Sequence, residues 1–283
     1  MRILGVHGVG NFRPNTTPEQ ASTALARIWT KALATEAARP GQSTSGSSYE
    51  VEVAYYADLL QQTGRQGEDD LDSLDAFELA LVEQWLDEMG VPDATAAGRA
   101  TAPIRQALAW LARSRGLGRP ATEWFVAVFF REVAAYLRAE DSSRRAAARN
   151  RVAGAVAAHR PQVVLAHSLG SVVAYEALWA HPTPGVELLV TLGSPLALPH
   201  AVFDRLRPEP RQHRGAKPPG VRRWVNVADP GDLVAIPPGG VEDRFDGVER
   251  DRPTAPPIHA FDFHKAANYL ASPYLHALLT GYV

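Results

Sequence analysis

Cysteine is absent from the 283 residues. That single absence excludes a disulfide framework, a thiol nucleophile and a Cys-based zinc site. An excess of basic charge is missing as well: 29 Lys and Arg stand against 31 Asp and Glu, for a net charge of −2. No broad positive field exists to hold a nucleic acid, so no nucleic-acid partner is expected. No uninterrupted apolar run approaches the ~20 residues a membrane-spanning helix needs. The first residues, Met1-Arg2-Ile3-Leu4-Gly5-Val6, enter a strand at once and leave no room for the apolar core of a signal peptide. A cytoplasmic protein without a membrane span is the expectation. The nine histidines form no H-E-x-x-H pair, so neither a metal nor another cofactor is expected. Internal repeats are lacking too.

What is present suits a globular core, with 46% hydrophobic and 21% charged residues. Ile3–Val6 reads as a buried first strand ending in His7-Gly8-Val9-Gly10-Asn11. Glycines placed directly after a strand let backbone N–H groups face a ligand. The loop lacks the Lys-Ser/Thr of a P-loop, and its glycines do not fit G-x-G-x-x-G. His7 is read as structural, packed beneath the turn.

Thr16-Thr17-Pro18-Glu19 starts a helix that continues to Ala38, with Leu25, Ile28, Trp29 and Leu33 at helical spacing. Pro40 to Ser48 is a Gly/Ser/Thr loop, and Tyr49 to Tyr56 a second strand. Asp58, just beyond that strand, is read as a solvated turn residue. Residues 62–140 carry little strand signal. One helix is marked by Leu71, Leu74, Phe77, Leu81 and Trp85, another by Ile104, Leu108 and Leu111. A third is marked by Phe125, Val128, Phe129, Val133, Tyr136 and Leu137. This block interrupts the strand–helix alternation as an insertion over a sheet does. Its most apolar part, Trp124 to Phe130, reads first as helix–helix core and second as a cap or lid touching substrate. Ser142 to His159 is a further helix, with Arg144, Arg145, Arg149 and Arg151 on its wet face.

Pro161 to Leu178 is the stretch the rest of the chain serves. Val163-Val164-Leu165-Ala166 is a short apolar strand, His167-Ser168-Leu169-Gly170 turns hard, and an amphipathic helix follows with Val172, Val173, Ala177 and Leu178. Small-x-Ser-x-Gly between a strand and a helix is the pattern of a nucleophile elbow. A serine on so tight a turn is held in strained backbone geometry, so residues 166 and 170 must be small. The helix N-terminus directs free N–H groups at the serine oxygen, where an oxyanion forms in acyl chemistry. The alternative reading is a serine that merely N-caps the helix.

A serine hydroxyl needs a base, and the base needs an orienting acid. Val186 to Leu192 is a strand ending in Gly193-Ser194-Pro195-Leu196, with Ser194 read as a pocket wall or turn cap. Pro208 to Gly220 is a Pro/Arg-rich loop. Val221 to Ala228 is the next strand, followed by Asp229-Pro230-Gly231-Asp232. Asp232 is preferred as the acid because Asp229-Pro230 more naturally initiates the turn; Asp229 is the alternate. Ile258 to Phe263 is a last extended piece, and helices follow through Leu279. His264 is preferred as the base because it sits where that extended segment enters a helix; His259 is the alternate. His276 reads as packing, and His167 as a neighbour that supports the nucleophile from behind.

The chain resembles the α/β-hydrolase superfamily, most closely its lipase and serine-esterase branches. The resemblance rests on Val6-His-Gly-Val-Gly10, Ala166-His-Ser-Leu-Gly170, Thr191-Leu-Gly-Ser-Pro-Leu196, Asp229-Pro-Gly-Asp-Leu-Val234 and His264-Lys-Ala-Ala-Asn-Tyr-Leu270. It implies a single α/β domain with an eight-stranded, mostly parallel sheet flanked by helices. It also implies Ser168 as nucleophile and an oxyanion hole from the backbone N–H groups of Val9 and Leu169. Two departures stand out: Ala166 replaces the first elbow glycine, and the 62–140 insertion matches no assigned lid. The expected activity is hydrolysis of an ester, or of a thioester or amide, through an acyl-enzyme. The expected partner is a small, partly apolar acyl substrate. An acyltransferase using the same residues, and a non-catalytic ligand-binding protein on the same scaffold, are the alternatives.

Overall fold

The apolar runs that read as strands carry no polar alternation because both faces of their sheet are covered. The computed structural model describes residues 1–37, 49–61, 70–91, 101–138, 143–249 and 264–281. Its strands are β1 (Arg2–Val6), β2 (Glu50–Ala54), β3 (Val163–His167), β4 (Val186–Leu192), β5 (Gly215–Ala216), β6 (Val221–Val227), β7 (Phe245–Asp246) and β8 (Val248–Glu249). Six of them form the central sheet in the order β2-β1-β3-β4-β6-β8, and β5 pairs only with β7. Every pairing in the central sheet is parallel. The fold is therefore α/β with a parallel sheet, six strands wide among the described residues rather than the eight the resemblance implies.

Alternate residues of each strand point to opposite cores. On one face, Ile3, Val163, Leu165, Leu188, Val190 and Val225 meet Leu25 and Trp29 of α1 (Pro18–Ala37) and Leu275 and Leu279 near the C-terminal end. On the other, Leu4, Val6, Val164, Ala166 and Leu189 meet Val152 and Val156 of the helix Ser143–His159 and the insertion. Helix α1 starts where the sequence predicts: Thr17 and Gln20 exchange side-chain-to-backbone hydrogen bonds in a capping box.

After α2 (Ala57–Leu60) the insertion supplies α3 (Ala76–Glu88), α4 (Ala102–Ser114) and α5 (Arg119–Leu137). The run from Leu71 to Trp85 is not one helix. A 3₁₀ turn covers Leu71–Ser73, and α3 opens after Asp75, which caps it and receives a reciprocal bond from Glu78. The loop predicted at 40–48 and the extended piece at 258–263 lie outside the described residues.

Helix α6 (Ser143–His159) corrects one expectation, and α7 (Leu169–Ala180) corrects another. Arg145 is not on a wet face: it is buried, and its Nε donates to Glu176 Oε2 at 2.9 Å. Glu176 also accepts from Tyr136 Oη at 2.7 Å and from the Arg207 N–H at 2.9 Å. Helix α7 is not amphipathic either, because every residue from Leu169 to Leu178 is buried. It lies between the sheet and a second layer, so its one charged residue must find its partners inside. Removing one member of such a buried pair generally costs about 3–5 kcal/mol. Asp58 is likewise more than a solvated turn residue: it sits in α2 and pairs with Arg151 at 3.4 Å.

The chain is completed by α8 (Gly240–Arg244), α9 (Ala266–Leu270) and α10 (Pro273–Thr280). The connection from β1 leads outward to β2 at the sheet edge. The chain then returns across the other face to β3 on the opposite side of β1. Adjacent strands β1 and β3 thus send their following loops apart, which opens a crevice at their carboxyl ends. No helix among the described residues is long and apolar enough to cross a membrane.

Candidate active site

Ser168 lies between β3 and α7 with φ 55° and ψ −132°, a region a side chain rarely occupies. Such a conformation costs on the order of 1–3 kcal/mol and persists only where its surroundings over-determine it. Here its N–H donates to the Leu192 carbonyl at 3.0 Å, and its own carbonyl accepts from the Ser171 N–H at 2.9 Å. The Ser171 hydroxyl adds a bond of 2.6 Å to that carbonyl and shares another of 2.7 Å with Ser194. Ser194 also accepts the Leu196 N–H at 3.2 Å. It braces the turn from the neighbouring strand, as the turn-cap reading expects.

The side chain of Ser168 is fully buried and hydrogen-bonded to His264 Nε2 at 2.7 Å. His264 Nδ1 lies 3.0 and 2.9 Å from the two carboxylate oxygens of Asp232. An ionised carboxylate only accepts, so the Nδ1 of His264 carries the proton and its Nε2 lone pair faces the serine. Asp232 also accepts the Val234 N–H at 2.8 Å and the Tyr269 hydroxyl at 2.6 Å. With three donors on it, the carboxylate is fixed in position. A serine, an imidazole and a carboxylate linked in this way can move the serine proton to the imidazole without creating an unpaired buried charge.

Asp229 is elsewhere. Its carboxylate accepts the Gly231 N–H at 2.7 Å, and its carbonyl accepts the Asp232 N–H at 2.9 Å, so it builds the turn that presents Asp232. His259 lies outside the described residues. Tyr269 is a site residue that the sequence reading missed. Burial, and then the charge of Asp232, raise its pKa far above the usual phenol value, so it stays a donor. Its oxygen also accepts the Asp229 N–H at 3.0 Å, joining both halves of the acid turn. An isolated tyrosine in a helical stretch carries no signal of this role.

The loop after β1 sits directly against Ser168. A Cβ on Gly8 would fall 2.5 Å from the Ser168 Cβ and 2.8 Å from His167 Nδ1, so no larger residue fits. A Cβ on Gly170 would collide with the carbonyls of Val6 and His7, which shows how closely α7 rests on the end of β1. Leu169 is the first residue of α7, where helical N–H groups are unpaired. Neither its N–H nor that of Val9 has an acceptor among the described residues.

His7 packs beneath the turn, stacked on Tyr56 at 4.3 Å between ring centres. Its Nε2 accepts the Tyr56 N–H at 3.2 Å, and its Nδ1 lies 2.8 Å from the Gly8 carbonyl. Burial lowers its pKa from 6.5 to about 4, partly offset by that carbonyl. The unfolded chain therefore takes up a proton below pH 6.5 that the folded chain refuses. Stability is expected to fall by about 3 kcal/mol between pH 6.5 and 4 on this account. Denaturant titrations over that range check it. His7→Asn should remove the slope, whereas a constant offset with an unchanged slope would mean the linkage lies elsewhere. His167 is also held neutral, by burial and then by the neighbouring His264, whose ring centre is 4.8 Å away.

The insertion reaches all parts of the site. The ring centres of Phe125 and Phe129 lie 5.4 and 6.2 Å from that of His264. Trp85 of α3 donates to the Leu233 carbonyl, beside Asp232, at 2.7 Å. Glu132 of α5 accepts the Gly10 N–H at 2.9 Å. Phe129 and Phe130 belong to the core, Phe125 is half-buried beside His264, and Trp124 is 51% exposed. The aromatic stretch is therefore partly helix core and partly a wall of the site. No group of three or more metal-ligating side chains occurs among the described residues.

Comparison of the chain with protein-family models, with curated proteins and with solved structures gives no match.

Proposed function

We propose that the protein is a serine hydrolase of the α/β-hydrolase type, cleaving an ester through an acyl-enzyme on Ser168. The observation that carries this reading is the continuous Ser168–His264–Asp232 hydrogen-bond chain, with bonds of 2.7 and 2.9 Å, at the crevice where β1 and β3 diverge. In the proposed reaction His264 takes the Ser168 proton as the hydroxyl oxygen attacks the substrate carbonyl. Asp232 holds the imidazolium that results. The Val9 and Leu169 N–H groups receive the carbonyl oxygen as it gains charge, each contributing roughly 3–4 kcal/mol in the transition state. His264 then gives its proton to the leaving alcohol, and water repeats the sequence in reverse roles to release the acid. Phe125 and Phe129 beside the base favour a substrate with an apolar acyl or alkyl part.

A fluorophosphonate probe tests this reading directly. Covalent labelling of the folded protein is expected at Ser168 and should vanish in Ser168→Ala. Folded protein that takes no label overturns the nucleophile assignment.

A further inference from the structure

Helix α5 presents Phe125, Val128, Phe129 and Glu132 at the i, i+3, i+4 and i+7 spacing of one helix face. The first and third of these lie against His264. Val128 approaches Gly10, with its Cγ1 4.0 Å from where a Cβ would stand on that glycine. Glu132 is a charged residue on this otherwise apolar face, only 9% exposed, and its Oε1 accepts the Gly10 N–H at 2.9 Å. One turn further on, Tyr136 donates to Glu176 of the elbow helix at 2.7 Å. Helix α5 is thus fastened by two polar bonds, at Glu132 and Tyr136, in the turns that follow the apolar contact.

The Gly10 N–H matters because of what stands beside it. Gly10 has φ +71°, and it follows Val9, whose N–H has no acceptor among the described residues. With the Gly10 N–H committed to Glu132, the peptide between Val9 and Gly10 has one orientation. Through the φ and ψ of Val9, that orientation restricts the directions open to the preceding N–H. We propose that Glu132 is a positioning residue for the oxyanion hole. Its side chain anchors the loop after β1 through the Gly10 N–H and so aims the Val9 N–H at the oxygen that gains charge over Ser168. The proposal rests on the serine-hydrolase reading of the site. A carboxylate close to a developing oxyanion opposes that charge, so what Glu132 supplies is its acceptor geometry, not its charge.

Glu132→Ala, Glu132→Gln and Glu132→Asp separate these effects. A misdirected oxyanion donor is expected to lower kcat on a nitrophenyl ester about 10- to 100-fold, with KM changed by less than about 3-fold. Affinity for a boronic acid that mimics the tetrahedral state should fall in parallel with kcat/KM. Glu132→Gln keeps an oxygen at the same reach and should recover most of the loss. Glu132→Asp keeps the charge but is one methylene shorter, and it should behave like the alanine variant. It carries the test if Glu132→Ala does not fold.

The proposal is overturned if the folded Ala and Asp variants retain kcat within about 3-fold of the parent, or if Glu132→Gln is as slow as they are. Fluorophosphonate labelling of the parent protein keeps the two readings apart. If the parent does not label, the hydrolase reading itself fails. If it labels and the variants turn over normally, only the role of Glu132 is lost.

Discussion

Replacing His264 with alanine is expected to lower kcat on a nitrophenyl ester by about 10⁵- to 10⁶-fold, with KM altered only slightly. The size of the effect follows from what the imidazole does for a buried serine. Ser168 is fully buried, and its hydroxyl has His264 Nε2 at 2.7 Å as the acceptor for its proton. Without that acceptor the attacking oxygen must keep its proton or leave an alkoxide in a site with little water. KM is spared because the imidazole acts on the serine proton and contributes little to ground-state binding. Activity above the uncatalysed rate should persist at the level the proposed oxyanion donors alone provide, roughly 10³- to 10⁴-fold. Steady-state kinetics on protein with an unchanged thermal unfolding profile makes the measurement. A loss smaller than about 10-fold would remove His264 from the mechanism.

Asp232→Asn is expected to cost about 10⁴-fold in kcat, and Asp229→Asn no more than about 10-fold. The contrast comes from what each carboxylate accepts. Asp232 receives the Nδ1–H of His264 and so holds the ring with its lone pair toward Ser168. An asparagine at 232 can turn its amide N–H₂ to Nδ1, which selects the opposite tautomer and points an N–H at the serine. Asp229 receives a backbone N–H from Gly231 at 2.7 Å, and an asparagine carbonyl oxygen can accept that bond equally well. Measured kcat values for the two variants in parallel decide between them. A reversed ranking would place the acid at 229 and leave Asp232 as a turn residue.

The elements that the sequence reveals most directly are those whose environment is uniform. Strands β1 and β3 are buried along Ile3–Val6 and Val163–His167, so each reads as an apolar run with a sharp end, whereas β4 and β6 carry Glu187, Arg222, Arg223 and Asn226 among their apolar residues. The turns that follow carry glycine, serine, proline or aspartate. The meeting of Ser168 and Asp232 follows from that pattern, since they lie beyond the carboxyl ends of β3 and β6 in one parallel sheet. What stays hidden depends on partners distant in sequence. Arg145 looks solvated until Glu176 is seen facing it, 31 residues on, from a helix buried all round. Tyr269 has no signature apart from the acid turn it closes. Glu132 leaves a trace: it is a carboxylate on the same helix face as Phe125, Val128 and Phe129, where burial demands a partner. That partner is a backbone N–H 122 residues earlier, in the first loop of the chain.

The pairing of β1 with β3, Ile3 opposite Val163, has a kinetic meaning beyond the shape of the crevice. Helices α3, α4 and α5 contact one another across short stretches of chain and can assemble early. The loop after β1 and the turn at Ser168 cannot, because they adjoin only after the whole insertion has been bridged, and non-local closure of this kind is slow. His264 and Tyr269 must also reach Ser168 and Asp232 from the far end of the chain. A refolding population can therefore regain most of its helix while holding no site at all. Under the proposed function, returning turnover would report the completed topology, and a chain cut anywhere between Gly8 and Tyr269 and separated into its parts holds no complete site on either part.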